Sequence, residues 1–294
     1  MKFFKLPIYA LAAALMTAPT VANALWWDDD DDEEIPFEEA ELYFELNDSD
    51  GDLGIHGKID GDAWRWINLV EDESERVIMV VRARSRLRRQ GLTELFFESS
   101  EPCFPSNPEC DEDEALDPET FFERFPEGWY EIEGLSVEGE ELESEVYLSQ
   151  IIPKAPVVAV NGTVVNGIVP LEDCVEDVGR PVMLTWPGVT EAHDDLGTNT
   201  GELLSTHNIS VISYQIVLEV DETNHKASAT VPPGVNSWTL PEDFFDNIGP
   251  SEEDGAYKFE VIVRVDDGQD EDDDGVERDP GPGNQSAMEF CFII

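Results

Sequence analysis

The chain has 294 residues, with 67 acidic and 17 basic side chains and a formal net charge of −50. A field this negative repels nucleic acid and anionic membranes, so neither is expected as a partner through surface charge. Only six lysines occur. Such a surface suits salty or calcium-rich surroundings, where ions screen its self-repulsion.

The first residues read as a secretory signal peptide spanning residues 1–24. Lys2 and Lys5 form a basic start, Leu6 to Met16 a short apolar run, and Ala22-Asn23-Ala24 a small-residue cleavage site. The run is well short of the roughly 20 residues a membrane span needs. No later segment is apolar for long enough, so no membrane span is expected. The reading is an exported protein, periplasmic or extracellular. Residues 25–36 follow as an acidic disordered tail, with seven consecutive acids from Asp28 to Glu34.

From Phe37 the pattern becomes that of strands. Leu42, Phe44 and Leu46 alternate with Tyr43 and Glu45. Ile55 to Ile59 alternates again, Asp60-Gly61 reads as a hairpin turn, and Trp64 and Trp66 share a face of the next strand. Val77 to Leu87 reads as one long strand and Leu95 to Phe97 as a short one. Asp117-Pro118-Glu119 starts the one expected helix, whose Phe121, Phe122 and Phe125 fall on one side before Pro126. Two strands then surround Gly139-Glu140. Ile152 to Pro156 reads as a linker, giving an N-terminal β-sandwich-like domain over 37–152 and a second domain over 153–294. In the second half, Val182 to Pro187, Ile209 to Val220, Ser237 to Pro241, Tyr257 to Val265 and Met288 to Ile294 read as strands. The expected class is all-β, two sandwich-type domains in tandem.

Four cysteines in an exported chain predict two disulfides. Three pairings exist; the spacings favour Cys103–Cys110 and Cys174–Cys291. With no C-x-x-C and no cysteine–histidine cluster, a zinc site built on cysteine is disfavoured.

Trp186-Pro187, Tyr214-Gln215, Leu240-Pro241, the late strand Tyr257-x-Phe259-x-Val261 and the closing Gly283-Asn284-Gln285 resemble a fibronectin type III domain over about 153–294. The resemblance implies that Tyr257 is the corner tyrosine at the start of strand F. Glu191 to Asn208 and Asp266 to Asn284 are long insertions for that fold. The layout of the first half, from GDLGIHGKIDGDAW to FFERFPEGWYEIEGLSVEGEELES, is similar to exported bacterial proteins of an uncharacterised family that end in a fibronectin-type domain. That resemblance implies an architecture and no activity.

No nucleophile elbow, zincin, phosphate-loop or dinucleotide motif occurs, and none of the four histidines sits in a catalytic motif. His56 reads as a solvent-facing strand residue. Arg82, Arg84, Arg86 and Arg88 are spaced by two, which on a strand puts all four on one face. Either neighbouring carboxylates pair with this stripe, or it binds an anion, such as a sulfated or acidic polysaccharide or a partner's acidic face.

Calcium is the only cofactor suggested. Asp48, Asp50 and Asp52 fit positions 1, 3 and 5 of a calcium loop, but Leu53 and Ile59 stand where glycine and glutamate belong. Asp270, Asp272 and Asp274 with Gly275 fit better, but Gly281 replaces the final bidentate acid. The reading is a non-catalytic binding or adhesion module at the cell envelope or outside, tuned by calcium, with a protein or polysaccharide partner. The alternatives are an envelope-polymer hydrolase with the fibronectin-type domain as spacer, and a periplasmic structural or assembly factor.

Overall fold

The computed structural model describes residues 34–294, apart from 106–109, 112, 114, 166–173, 194–195, 197–208, 221–224, 251–254 and 274. The expected signal peptide, most of the expected acidic tail, most of the first expected insertion and Asp274 lie outside the described residues. Residues 34–294 form one compact unit.

The elements of the first half are β1 (Glu39–Asn47), β2 (Asp52–Glu71), β3 (Arg76–Arg82), α1 (Ser85–Gln90), β4 (Leu92–Glu98), α2 (Pro118–Arg124), β5 (Gly128–Ser136) and β6 (Glu141–Leu148). In β1 the alternation is realised. Leu42, Phe44 and Leu46 face a core with Ile55, Ile59, Trp64, Ile67, Tyr130 and Ile132, and burial of such side chains contributes about 1.5–3 kcal/mol each. The expected helix forms as α2. Asp117 caps it by accepting from Glu119 N at 2.9 Å, and Phe121 and Phe122 pack edge-on against Phe44.

Three expectations need correction. Asp60-Gly61 is not a hairpin turn, because β2 runs through it as a single 20-residue strand. Gly61 is closely packed: a Cβ there would lie 3.2 Å from the Phe37 ring. The true hairpin lies earlier, at Asn47 to Asp52, where Gly51 takes a φ of 66° and donates to Asn47 O at 2.8 Å. The strand expected to reach Leu87 ends at Arg82 and gives way to α1. The β-branched run stops at Val81, and the Arg, Leu and Gln that follow favour helix, closed by Gly91 at φ 82°. Finally, the tail is tied down sooner than expected, since Ile35 bridges Leu142 beside β6.

The second half contributes β7 (Ala159–Val160), β8 (Thr163–Val164), β9 (Val182–Thr185), β10 (Val211–Val220), β11 (His225–Val231), β12 (Ser237–Leu240), α3 (Glu242–Asn247), β13 (Tyr257–Asp266) and β14 (Pro282–Phe292). A small sheet in the order β12-β9-β7-β8 faces strands in the order β11-β10-β13-β14. Between them lies a core of Trp186, Tyr214, Leu240, Phe259, Val261 and Phe290, among others. This strand order is that of a fibronectin type III-like fold. Tyr257 OH donates to Ile248 O at 2.8 Å, the corner bond that fixes the turn before its strand. Both disulfides form as paired from the spacings, Cys103–Cys110 and Cys174–Cys291.

The two cores are distinct, but the sheets are continuous. β1 pairs in parallel with β14, joining the halves into a ten-stranded sheet. The Ile152 to Pro156 segment is bonded across to the start of the first insertion, with His193 N donating to Ile152 O at 2.7 Å and Lys154 N to Glu191 O at 3.0 Å.

Candidate functional site

Two places concentrate unusual chemistry: an arginine-lined cavity and a buried histidine–carboxylate cluster.

The arginine segment does not form the one-faced stripe expected of a strand. Arg82 closes β3, Arg84 is the residue before α1, and Arg86 and Arg88 lie on the helix. Ala83, buried, is held by its N–H to Arg65 O at 2.8 Å, and Ser85 has a φ of 54° that turns the chain. Arg84 and Arg88, four apart, therefore return to the same side. They line a cavity of about 430 Å³ together with Arg82, Arg65, Trp66 and Ser85. Arg86 does not line it. Arg82 lies over the Trp66 ring at 5.9 Å, and Arg65 donates to Val137 O. Among the described residues, no carboxylate lies within ion-pair distance of Arg65, Arg82, Arg84, Arg86 or Arg88. Elsewhere cations do find acids, as in Arg264–Glu41 at 2.9 Å, Lys58–Glu39 at 2.6 Å and Arg180–Asp246 at 2.8 Å.

The second cluster occupies the outer face of the shared sheet. His56 is 4% exposed, so it does not face solvent as expected. Its Nε2 lies 3.2 Å from Glu101 Oε1, and its Nδ1 lies 3.9 Å from Glu45 Oε2. Tyr43 stacks on it at 5.4 Å, and Gln285 of β14 donates to Glu45. Glu101 comes from the segment after β4 and lies flat on β2 because Gly54 lacks a side chain; a Cβ there would meet its carboxylate at 2.7 Å.

Burial pulls the His56 pKa down, but the Glu101 hydrogen bond and the surrounding carboxylates outweigh it and raise it overall. Burial lifts Glu45 above the usual carboxylate range. Burial, then the charges of Glu101, Asp50, Glu45 and Glu289, push Asp52 up to about 7.

The aspartates expected to gather around calcium are separated in use. Asp48 Oδ1 lies 3.0 Å from His193 Nε2. Asp50 accepts from Asn47 Nδ2 at 3.0 Å. Among the described residues, Asp52 Oδ1 is buried with no hydrogen-bond partner. In the later loop Asp272 acts as a turn residue, its Oδ1 accepting from Val276 N at 2.6 Å, and Asp270 O accepts from Arg278 N at 2.9 Å. Among the described residues, the group of three potential metal ligands that converges is Glu45, His56 and Glu101, with one donor atom from each within 4.8 Å of the others. Reading the sequence alone missed Glu45 and Glu101. The alternation of β1 put Glu45 on the outer face, but nothing local paired it with His56.

Among the described residues, no helix is long and apolar enough to cross a membrane. No family model matches the chain, and no curated protein matches it. Among solved structures, the chain is similar to the FN1–FN3 domains of chicken CNTN1, at 11% identity and a TM-score of 0.25 over 89% of this chain and 68% of that one. It is similar to a two-domain fibronectin type III segment of chicken tenascin, at 10% identity and 0.22 over 86% and 97%. It is also similar to a bacterial ice-binding adhesin, at 11% identity and 0.19 over 87% and 64%. The fibronectin type III-like fold rests on the strand order and the Tyr257 corner, independently of these overlaps.

Proposed function

We propose that the protein is an exported binding or adhesion module, and that the cavity formed by Arg65, Arg82, Arg84 and Arg88 seats an anionic group of its partner. The export reading rests on the N-terminal sequence and on two disulfides. One observation carries the binding reading. In a chain with 67 acids and 17 bases, four arginines line one cavity and, among the described residues, have no carboxylate partner.

Guanidinium forks match carboxylate and sulfate oxygens in pairs of hydrogen bonds. Unpaired cations held together at a concave surface repel one another, and a bound anion relieves that repulsion. Trp66 adds an apolar wall against which a sugar ring or side chain can rest. The partner class that fits is a sulfated or uronic-acid polysaccharide, or a protein with an acidic face. The general field of the chain repels such partners, so binding must come from the local cavity.

The test uses heparin as a sulfated-polysaccharide probe and polyglutamate as an acidic-peptide probe, titrated by calorimetry. Arg84→Glu with Arg88→Glu should lower affinity at least tenfold while leaving the melting temperature within a few degrees. Unchanged binding, or loss of folding in this variant and in Arg84→Ala, would sink the reading and assign the arginines to stability.

A further inference from the structure

The cluster on the shared sheet has the composition of a metal site. Glu45, His56 and Glu101 each offer a donor atom, and the three lie within 4.8 Å of one another. His56 is almost wholly buried. Further along the same face of β2, Asp52 has a buried Oδ1 that, among the described residues, has no hydrogen-bond partner.

Three features suit a cation here. First, several carboxylates share a desolvated patch with a single imidazole, and like charges out of water are costly unless countered. Second, the ligands have supporting partners. Gln285 donates to Glu45, Tyr43 stacks on His56, and the Glu101 segment is anchored by Phe104 N to Gly51 O at 2.8 Å and by the Cys103–Cys110 bridge. Such contacts orient ligands at metal sites. Third, Gly54 leaves open the space that the Glu101 carboxylate occupies.

We propose that Glu45, His56 and Glu101 bind one zinc-class divalent ion, with water completing its coordination. The donor set decides the ion. An imidazole nitrogen with two or three carboxylate oxygens suits a first-row transition ion such as Zn²⁺. Calcium prefers six to eight oxygens and no nitrogen. Zinc holds its ligands at about 2.0–2.2 Å, which places them about 3.3 Å apart. The His56–Glu101 separation of 3.2 Å already meets this. Glu45 Oε2 lies 3.9 Å from the other ring nitrogen, Nδ1, so Glu45 reaches an ion held at Nε2 by turning a side chain that is 16% exposed. The ion bridges β1, β2 and the segment after β4, so it ties the disulfide loop to the sheet.

The experiment is a Zn²⁺ titration of the full chain in a large excess of Mg²⁺, which saturates the diffuse atmosphere of an acidic surface. Metal content is measured after dialysis, and the Co²⁺ form is examined by absorption. The expected result is one ion per chain, a melting temperature raised by Zn²⁺ but not by further Mg²⁺ or Ca²⁺, and visible Co²⁺ bands. Glu101→Gln should weaken Zn²⁺ affinity at least tenfold, since disturbing even an outer partner of a metal ligand costs about 10–100-fold. His56→Gln should abolish the Co²⁺ bands. If His56→Gln does not fold, Glu101→Gln alone decides, because it changes no core contact. Equal responses to Zn²⁺ and Mg²⁺, or unaltered Zn²⁺ affinity in Glu101→Gln, overturn the proposal.

Discussion

The amide of Asn284 sits at the seam between β1 and β14, and each of its polar atoms is used. Oδ1 accepts from Phe44 N at 2.7 Å, and Nδ2 donates to Ser149 O at 2.7 Å and Ile151 O at 2.9 Å. The residue is 1% exposed, so removing the side chain strands three backbone groups away from water. Asn284→Ala should cost about 3–5 kcal/mol, read as a lower denaturation midpoint. Asn284→Asp should be worse, because a second oxygen would face two carbonyls. The motif Gly283-Asn284-Gln285 was visible as a family-like ending, but its work was not. The partners of Asn284 lie 133, 135 and 240 residues away. The same holds for His56. Its strand and face could be read locally, whereas Glu101 and Gln285, which cover it and its neighbour Glu45, are set by pairings no local pattern encodes.

At the level of elements, legibility followed the reach of the signal. β1 and α2 were readable because their instructions are local: an alternation in one, and an aspartate, a proline and three phenylalanines in the other. Asp117→Ala should destabilise by about 1 kcal/mol through loss of the cap on Glu119 N, measured as a small fall in melting temperature with the fold intact. β2 was misread because an Asp-Gly pair signals a turn only when nothing packs on it; here Phe37 does. The arginine segment was misread for a related reason. Spacing by two describes a strand, but Arg84 and Arg88 are also four apart, and the positive φ of 54° at Ser85 turns the chain out of the strand where the helix begins. The consequence is functional, since the helix gathers Arg82, Arg84 and Arg88 with Arg65 and leaves Arg86 out.

Across the whole molecule, the shared sheet creates an acidic outer face that neither half would have alone. Glu260 on β13 is opposed by Glu289 on β14, with Glu219 on β10, Glu45 on β1 and the cation of Lys226 on β11 nearby. Burial first, then the charges of Glu45 and Glu289, lift Glu260 to about 7, against the pull of Lys226. Glu143 on β6 rises to about 6, through burial and then Glu34, Glu131 and Glu133. In both cases the folded pKa lies above the unfolded one, so the folded state binds protons more readily. Stability is then complete below the unfolded pKa and is lost as pH rises through about 6 to 7. The melting temperature should therefore climb as pH falls from 8 to 5, opposite to acid denaturation of salt-bridged proteins. Glu260→Gln should remove part of this slope and raise stability at pH 8 by up to about 3 kcal/mol, with less effect at pH 5. Denaturant unfolding of both forms at the two pH values makes the comparison. Added salt, which screens the remaining repulsion, should flatten the parent's slope more than that of the variant. A parent that is least stable at pH 5, or a variant with the same slope, would mean that the acidic face is already neutralised by cations at neutral pH.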